Sequence, residues 1–358
     1  MLRLCERSEM EPIRIGKHLV GGDYPCLIIA EISANHNQDF DQAIRLIKLA
    51  KESGADAVKF QTYTPDTMTL NCNNDYFHIK DGPWKGQTLY ELYKQAYTPW
   101  EWFQKLKNYA DSIDITFFST PFDKTAVDLL DRISVPAYKI ASFELVDIPL
   151  IQYVASKGKP VILSTGMGTL SEIELAVNTI KAEGNSQIVL LKCTSEYPAE
   201  PLDMNLLAIQ FLSQKFECFC GLSDHSLYNE ISVAAVCLGA HIIEKHFIDD
   251  KLRTGPDAAF SVSPKEFRDL VRSIRIVEDA RGKALLFNPG DENKNQVFRR
   301  SLFIAQDIKK GEYFSEMNVR SIRPSFGLAP KYYTQILSKK ALSDIKVGTP
   351  LKWTMVEQ

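Results

Sequence analysis

The sequence predicts a closed (β/α)8 barrel followed by a small β-rich domain, on three observations. Eight short apolar runs alternate with amphipathic stretches through about the first 280 residues, the rhythm of repeated strand–helix units and a parallel sheet. The first run ends Glu31-Ile32-Ser33-Ala34-Asn35-His36, with no glycine, where an open doubly wound sheet would carry a Gly-rich phosphate turn. Polar and charged residues recur at the carboxyl end of one run after another, and in a barrel those ends converge on the face where active sites lie.

The strands fall at 27–32, 57–61, 116–120, 137–141, 160–164, 188–192, 219–223 and 242–245. Helical periodicity occupies, among others, 41–53, 100–112, 124–133, 171–183, 205–215 and 264–278. The second connection, Thr62 to Thr98, is rich in Asn, Asp, Gly and Tyr and holds one short helical piece at 89–95. A loop this long in a compact domain is usually functional, and in a barrel it lies over the catalytic face as a lid. Near Arg281 the pattern changes: Asn288-Pro289-Gly290-Asp291-Glu292-Asn293-Lys294-Asn295 is polar and turn-rich. Short β-like runs follow, including 300–304, with turns at Lys309-Lys310-Gly311-Glu312 and Ile345-Lys346-Val347-Gly348. The expected division is a barrel domain at 1–285, a linker at 286–297 and a C-terminal domain at 298–358. The last is small for independent folding, but feasible when docked on a neighbour.

Length and composition agree. The 358 residues accommodate a barrel of roughly 250 plus the small domain. Hydrophobic residues at 45% and charged residues at 24% are ordinary for a soluble globular chain. With a net charge of -3 and no long basic run, neither nucleic acid nor a membrane surface is an expected partner, so an anionic substrate must be held by local lysines. No apolar run is long enough to span a bilayer. The stretch from Met1 to Glu11 lacks the apolar core of a secretory signal, so a cytoplasmic location is expected. Seven scattered cysteines argue against a disulfide framework, and Cys218 and Cys220 read as buried small hydrophobes.

The strand-end residues are Glu31; Lys59 and Gln61; Ser119 and Thr120; Lys139, Ser142 and Glu144; Ser164 and Thr165; Lys192, Thr194 and Ser195; Ser223, Asp224 and His225; Glu244 and His246. His225 and His246 follow consecutive strands, so their imidazoles can approach one divalent cation that keeps open positions for an oxygen ligand. Lys59, Lys139 and Lys192 need anionic partners near a barrel interior. A phosphate with a carboxylate would serve, with the hydroxyls of Thr120, Ser142, Ser164 and Ser223 as donors. Ion pairs with Glu31, Glu144 or Glu244 are the plain alternative, above all for Lys192. A Schiff-base lysine, as in metal-free aldolases, is a different-class alternative, and a non-catalytic sugar-binding protein another. Glu31 and Glu144 suit general acid–base work or simple neutralisation of lysines. Tyr197 and Asp257 lie in loops after later strands, where Asp257 can accept hydrogen bonds from sugar hydroxyls or merely belong to a Gly-Pro-Asp turn.

These residues resemble the sialic acid synthase family. The matching passages are Ala30-Glu31-Ile32-Ser33-Ala34-Asn35-His36, Lys59-Phe60-Gln61-Thr62, Tyr138-Lys139-Ile140-Ala141-Ser142, Leu163-Ser164-Thr165-Gly166-Met167, Gly221-Leu222-Ser223-Asp224-His225 and Glu244-Lys245-His246-Phe247. The tail from Arg300-Ser301-Leu302 to Gly348 resembles that family's antifreeze-like (SAF) domain. Within the family the chain is most similar to the pseudaminate-forming branch. That likeness rests on Gln61-Thr62-Tyr63-Thr64-Pro65-Asp66, Thr88-Leu89-Tyr90-Glu91-Leu92-Tyr93, Thr98-Pro99-Trp100-Glu101-Trp102 and Arg323-Pro324-Ser325-Phe326-Gly327-Leu328.

The resemblance implies a TIM barrel with an SAF domain, and condensation of phosphoenolpyruvate with an amino-sugar aldose. The product is pseudaminic acid, with N-acetylneuraminate and legionaminate as alternatives. It implies a divalent metal ion (Mn2+, Mg2+ or Co2+) on His225 and His246. Phosphoenolpyruvate falls to Lys59, Lys139, Ser142, Ser164, Thr120 and Ser223, and the sugar to Glu31, Gln61, Tyr197 and Asp257. Glu31 is the implied base; Glu144, from its strand-end position rather than the resemblance, is expected as a further substrate contact, as is Ser195. Arg323 is implied to reach the barrel of the partner subunit in a domain-swapped homodimer. Ser195 departs from the asparagine of N-acetylneuraminate synthases, and Ser33-Ala34 from the usual Gly-Ile. Both differences favour the pseudaminate branch.

Overall fold

The strand Leu27–Glu31 is buried at all five of its positions, as expected where a parallel sheet is covered on both faces. A computed structural model gives the fold and describes residues 10–82, 84–282 and 295–358. A hairpin comes first, β1 (Ile13–Ile15) with β2 (His18–Val20). Eight strands then close a barrel: β3 (Leu27–Glu31), β4 (Ala57–Thr62), β5 (Thr116–Pro121), β6 (Tyr138–Ile140), β7 (Val161–Ser164), β8 (Ile188–Cys193), β9 (Phe219–Asp224) and β10 (Ile242–His246). Each pairs in parallel with the next, and β10 pairs with β3 to complete the ring. The expected barrel is therefore the fold, with every strand within a residue or two of its expected bounds.

The helices are α1 (Phe40–Glu52), α2 (Pro65–Met68), α3 (Leu89–Ala96), α4 (Phe103–Ser112), α5 (Lys124–Arg132), α6 (Ile148–Ala155), α7 (Leu170–Ala182), α8 (Ala208–Phe216), α9 (Asn229–Cys237), α10 (Pro264–Arg281) and α11 (Tyr333–Ile336). Their starts follow from local chemistry. Asp39 and Asp123 accept hydrogen bonds from the first turns of α1 and α5. Thr88 with Glu91, Thr169 with Glu172 and Ser263 with Glu266 form reciprocal caps at α3, α7 and α10. The α4 segment opens with a 3-10 turn at Trp100–Trp102 rather than a continuous helix.

Two elements differ from the sequence expectation. The connection from Thr62 to Thr98 carries two helical pieces, α2 as well as α3. Four residues are too few to show a period, and the signals for α2 are Pro65 in its first turn and the Thr64–Thr67 cap. The β1–β2 hairpin was not expected either. Lys17 donates to the Asp114 carbonyl at 2.9 Å and His18 meets the Asp56 carbonyl at 3.2 Å, so the hairpin crosses the amino-terminal end of the barrel.

The chain divides into two compact units, 1–282 and 283–358. The linker expected at 286–297 lies outside the described residues except for 295–297. Within the second unit β11 (Ser301–Ile304) pairs antiparallel with β12 (Val319–Ile322) over a core that includes Leu302, Ile304, Phe314, Val319, Ile336 and Leu351. No helix among the described residues is long and apolar enough to cross a membrane.

Candidate active site

Strand pairing fixes the site. Glu31 at the end of β3 is in register with Lys59 of β4 on one side and His246 of β10 on the other. Gln61 is in register with Thr120, and Ser223 with Glu244. Side chains alternate along each strand, so these residues project into the carboxyl mouth of the barrel.

At its floor, charge is concentrated. The Lys59 ammonium lies 2.6 Å from Glu31 Oε2 and 3.6 Å from Glu244 Oε1, and it donates to Thr120 Oγ1 at 3.1 Å. The Lys139 ammonium lies 3.9 Å from the same Glu244 oxygen, which also accepts from Ser223 Oγ at 3.1 Å. Both lysines therefore meet on one carboxylate, and all four charged groups are buried. Burial pushes the Glu31 carboxyl up to about 7 against the pull of Lys59. Burial drags the Lys59 ammonium down, but Glu244 and Glu31 outweigh it and hold it above its ordinary value. Lys139, with weaker partners, is held below by burial.

Hydroxyls ring this floor. Ser142 Oγ accepts the Gly166 N–H at 3.1 Å. A Cβ at Gly166 would collide with the hydroxyls of Ser195 and Ser142, so glycine lets these loops close together. Ser164 Oγ is buried with no hydrogen-bond partner among the described residues, as are Glu244 Oε2, Glu144 Oε2 and His246 Nδ1. Buried polar atoms ordinarily find partners, so such a cluster at one mouth suits a polar ligand.

The two histidines face each other beside this floor, with ring centroids 5.4 Å apart. His225 Nδ1 lies 2.8 Å from the Thr194 carbonyl, which orients the ring and leaves Nε2 for another partner. Burial and the neighbouring His225 hold His246 well below the ordinary imidazole value, which keeps it neutral. Burial lowers His225 too, but Cys193 and the Thr194 carbonyl raise it on balance. Two orientable imidazoles fit a divalent cation such as Mn2+ or Co2+. No group of three or more His, Cys, Asp or Glu side chains among the described residues could hold a metal, so other ligands would have to come from water or substrate.

A cavity of about 350 Å³ adjoins His246, lined by Ser33, Gln61, Tyr63, Glu144, Tyr197 and Asp257 and by Met68, Trp84 and Tyr93 from the lid. Gln61 donates to Glu31 Oε1 at 3.2 Å and to Ser33 Oγ at 3.1 Å. The Ser33 hydroxyl donates to Asp257, whose Oδ2 also takes the Ala34 N–H at 3.1 Å. Burial raises both Asp257 and Glu144, the latter to about 7. Tyr197 packs on His225 at 4.4 Å and on Phe260 at 4.9 Å.

The barrel thus gathers Glu31, Lys59, Gln61, Thr120, Lys139, Ser142, Glu144, Ser164, Ser195, Tyr197, Ser223, His225, His246 and Asp257. Arg323 lies in the second unit, exposed, just after β12. The ion pair weighed for Lys192 does not form among the described residues. Its ammonium donates to the Cys193 carbonyl at 2.8 Å and to Thr194 Oγ1 at 3.2 Å. Glu244, named from sequence as a strand-end residue and a possible partner of the lysines, stands between Lys59 and Lys139 in that role. Two participants were not singled out from sequence: Trp84 and Phe260 form an aromatic wall with Tyr197, and no spacing in the loops marks them.

Known proteins resemble this chain throughout. The profile of the NeuB family matches residues 46–285, and that of the SAF domain residues 299–357. A pseudaminic acid synthase of Campylobacter jejuni is 48% identical over 92% of this chain and 96% of its own length. A pseudaminic acid synthase of Helicobacter pylori is 44% identical over 93% of this chain and 98% of its own. The crystal structure of an N-acetylneuraminic acid synthetase from Leptospira borgpetersenii, in complex with citrate, aligns with a TM-score of 0.72 at 36% identity, covering 80% of this chain and 95% of that one. With a family profile matched over most of the barrel and relatives this similar over nine-tenths of the chain, the chain belongs to the NeuB family and carries an SAF domain C-terminal to its barrel domain in sequence.

Proposed function

We propose that this chain condenses phosphoenolpyruvate with 2,4-diacetamido-2,4,6-trideoxy-L-altrose to give pseudaminic acid and phosphate. The observation that carries the chemistry is the meeting of Lys59 and Lys139 on one carboxylate beside two facing imidazoles. The choice of sugar rests on likeness to the two pseudaminic acid synthases over nine-tenths of the chain.

In this reading Lys59 and Lys139 hold the phosphate and carboxylate, with Thr120, Ser142, Ser164 and Ser223 as hydroxyl donors. Ser195 lies against the same loops. His225 and His246 would hold a divalent ion, which when bound would supply Lewis acidity toward the aldehyde oxygen of the open-chain sugar. Gln61, Tyr197, Asp257 and Glu144 orient that sugar so that its aldehyde carbon faces carbon 3 of phosphoenolpyruvate. Bond formation there leaves carbon 2 electron-poor. Glu31, with a carboxyl poised near neutrality, takes a proton from the water that adds to carbon 2. The adduct expels phosphate by breaking the bond between carbon 2 and the bridging oxygen, and the resulting keto acid closes to the ring. Arg323 reaches the sugar from the partner subunit of a domain-swapped dimer.

Phosphate release tests the reading. With phosphoenolpyruvate and a panel of aldoses, release is expected to be fastest with the diacetamido-trideoxy-altrose and to stop on chelation. Release with N-acetylmannosamine alone would move the chain to another branch. Borohydride trapping without metal dependence would replace the mechanism by a Schiff base.

A further inference from the structure

Strands β9 and β10 carry a second charged pair that the chemistry above does not use. Asp224 and Lys245 are register partners, and each stands one residue before a histidine of the site. Alternation along the strands sends His225 and His246 into the mouth and turns Asp224 and Lys245 outward, under α9. Both side chains are wholly buried, with Lys245 Nζ 2.7 Å from Asp224 Oδ2. The lysine also donates to the Ser226 carbonyl at 2.7 Å. Asp224 Oδ1 accepts the Ser226 N–H at 2.8 Å, and Oδ2 accepts the Ser232 hydroxyl of α9 at 2.6 Å. The backbone on both sides of His225 is therefore tied to the strand that bears His246.

We propose that Asp224 and Lys245 are positioning residues that set the separation of the two imidazoles by locking the tips of β9 and β10 together. The proposal rests on the reading of His225 and His246 as one cation site. A buried ion pair is replaceable by apolar groups with little loss of stability, so stability alone does not account for it. Its directed bonds converge on Ser226, next to a proposed ligand. Partners behind metal-binding histidines typically change metal affinity 10- to 100-fold when removed.

The test is Mn2+ binding to the full-length protein without substrate, followed by the electron paramagnetic resonance of free Mn2+, together with thermal unfolding. D224N/K245M removes both charges without stranding either, and the asparagine keeps an acceptor for the Ser226 N–H. The expected result is unfolding close to that of the wild type with Mn2+ bound about 10- to 100-fold more weakly. Ser232→Ala, which removes one bond to Asp224, gives the same effect at smaller amplitude and serves if the double variant does not fold. Wild-type affinity in a folded D224N/K245M, or in S232A, overturns the proposal. A wild type that binds no Mn2+, or binds it no better than H246A does, overturns the cation site itself.

Discussion

Glu31 combines a lysine at 2.6 Å with complete burial, and burial prevails: its carboxyl is raised from 4.5 to about 7. In its proposed role as the base Glu31 must be ionised, so kcat/KM should rise with pH through about 7. E31Q should lower turnover by ~10²–10⁴-fold and abolish that limb, as steady-state phosphate release would record. Glu144 makes a separate stability prediction. Its folded value is about 7 against 4.5 for the free side chain, so the fold binds more protons than the unfolded chain between those values. The stability tied to its proton is full below 4.5 and is lost as pH rises toward 7. E144Q should thus be more stable than the wild type at pH 8, by at most ~3 kcal/mol, and not at pH 4.5. Urea unfolding at both pH values measures this. Most site residues were legible one by one because they stand at strand ends. Glu244 was legible as a lysine's partner, which it is, but not as the one carboxylate on which both Lys59 and Lys139 meet, since a strand-end position does not say which lysines lie within reach.

At the scale of elements, eight strands and the long lid were legible because apolar periodicity and turn composition mark them. The lid's inner helix α2 and its contacts were not, because a single helical turn has no period and aromatic packing has no spacing rule. Trp84 shows the consequence. Its indole donates to the Pro256 carbonyl at 2.8 Å, and its ring stands 5.9 Å from Tyr197, so one loop residue ties the lid to the wall of the cavity proposed for the sugar. W84A should raise the aldose KM about tenfold with little change in the KM for phosphoenolpyruvate. Thr88→Ala, which removes the cap of α3, should cost ~1 kcal/mol in lid stability and act in the same direction more weakly. Equal effects on both substrates would place the lid over the anion floor instead.

For the whole molecule, the division into a barrel unit and a small C-terminal unit gives the proposed dimer a direct check. If Arg323 serves the partner's barrel, R323A and E31Q chains complement each other when co-assembled. Each mixed dimer then has one intact site, and a random mixture should regain about a quarter of wild-type activity. Service within one chain leaves the mixture inactive. The barrel's class was legible because eight strands with polar tips fit no other common sheet. The meeting of those tips was an expectation that only coordinates could examine, since sequence gives the order of strands but not the distance across their mouth. The central claim is that one pocket holds a cation on both imidazoles beside an anion on both lysines. Anomalous scattering from crystals grown with Mn2+ and phosphoenolpyruvate tests it most directly. The account requires a single manganese peak in contact with His225 and His246, with the phosphate and carboxylate between Lys59 and Lys139. Manganese elsewhere, or phosphoenolpyruvate bound away from those two lysines, would contradict it.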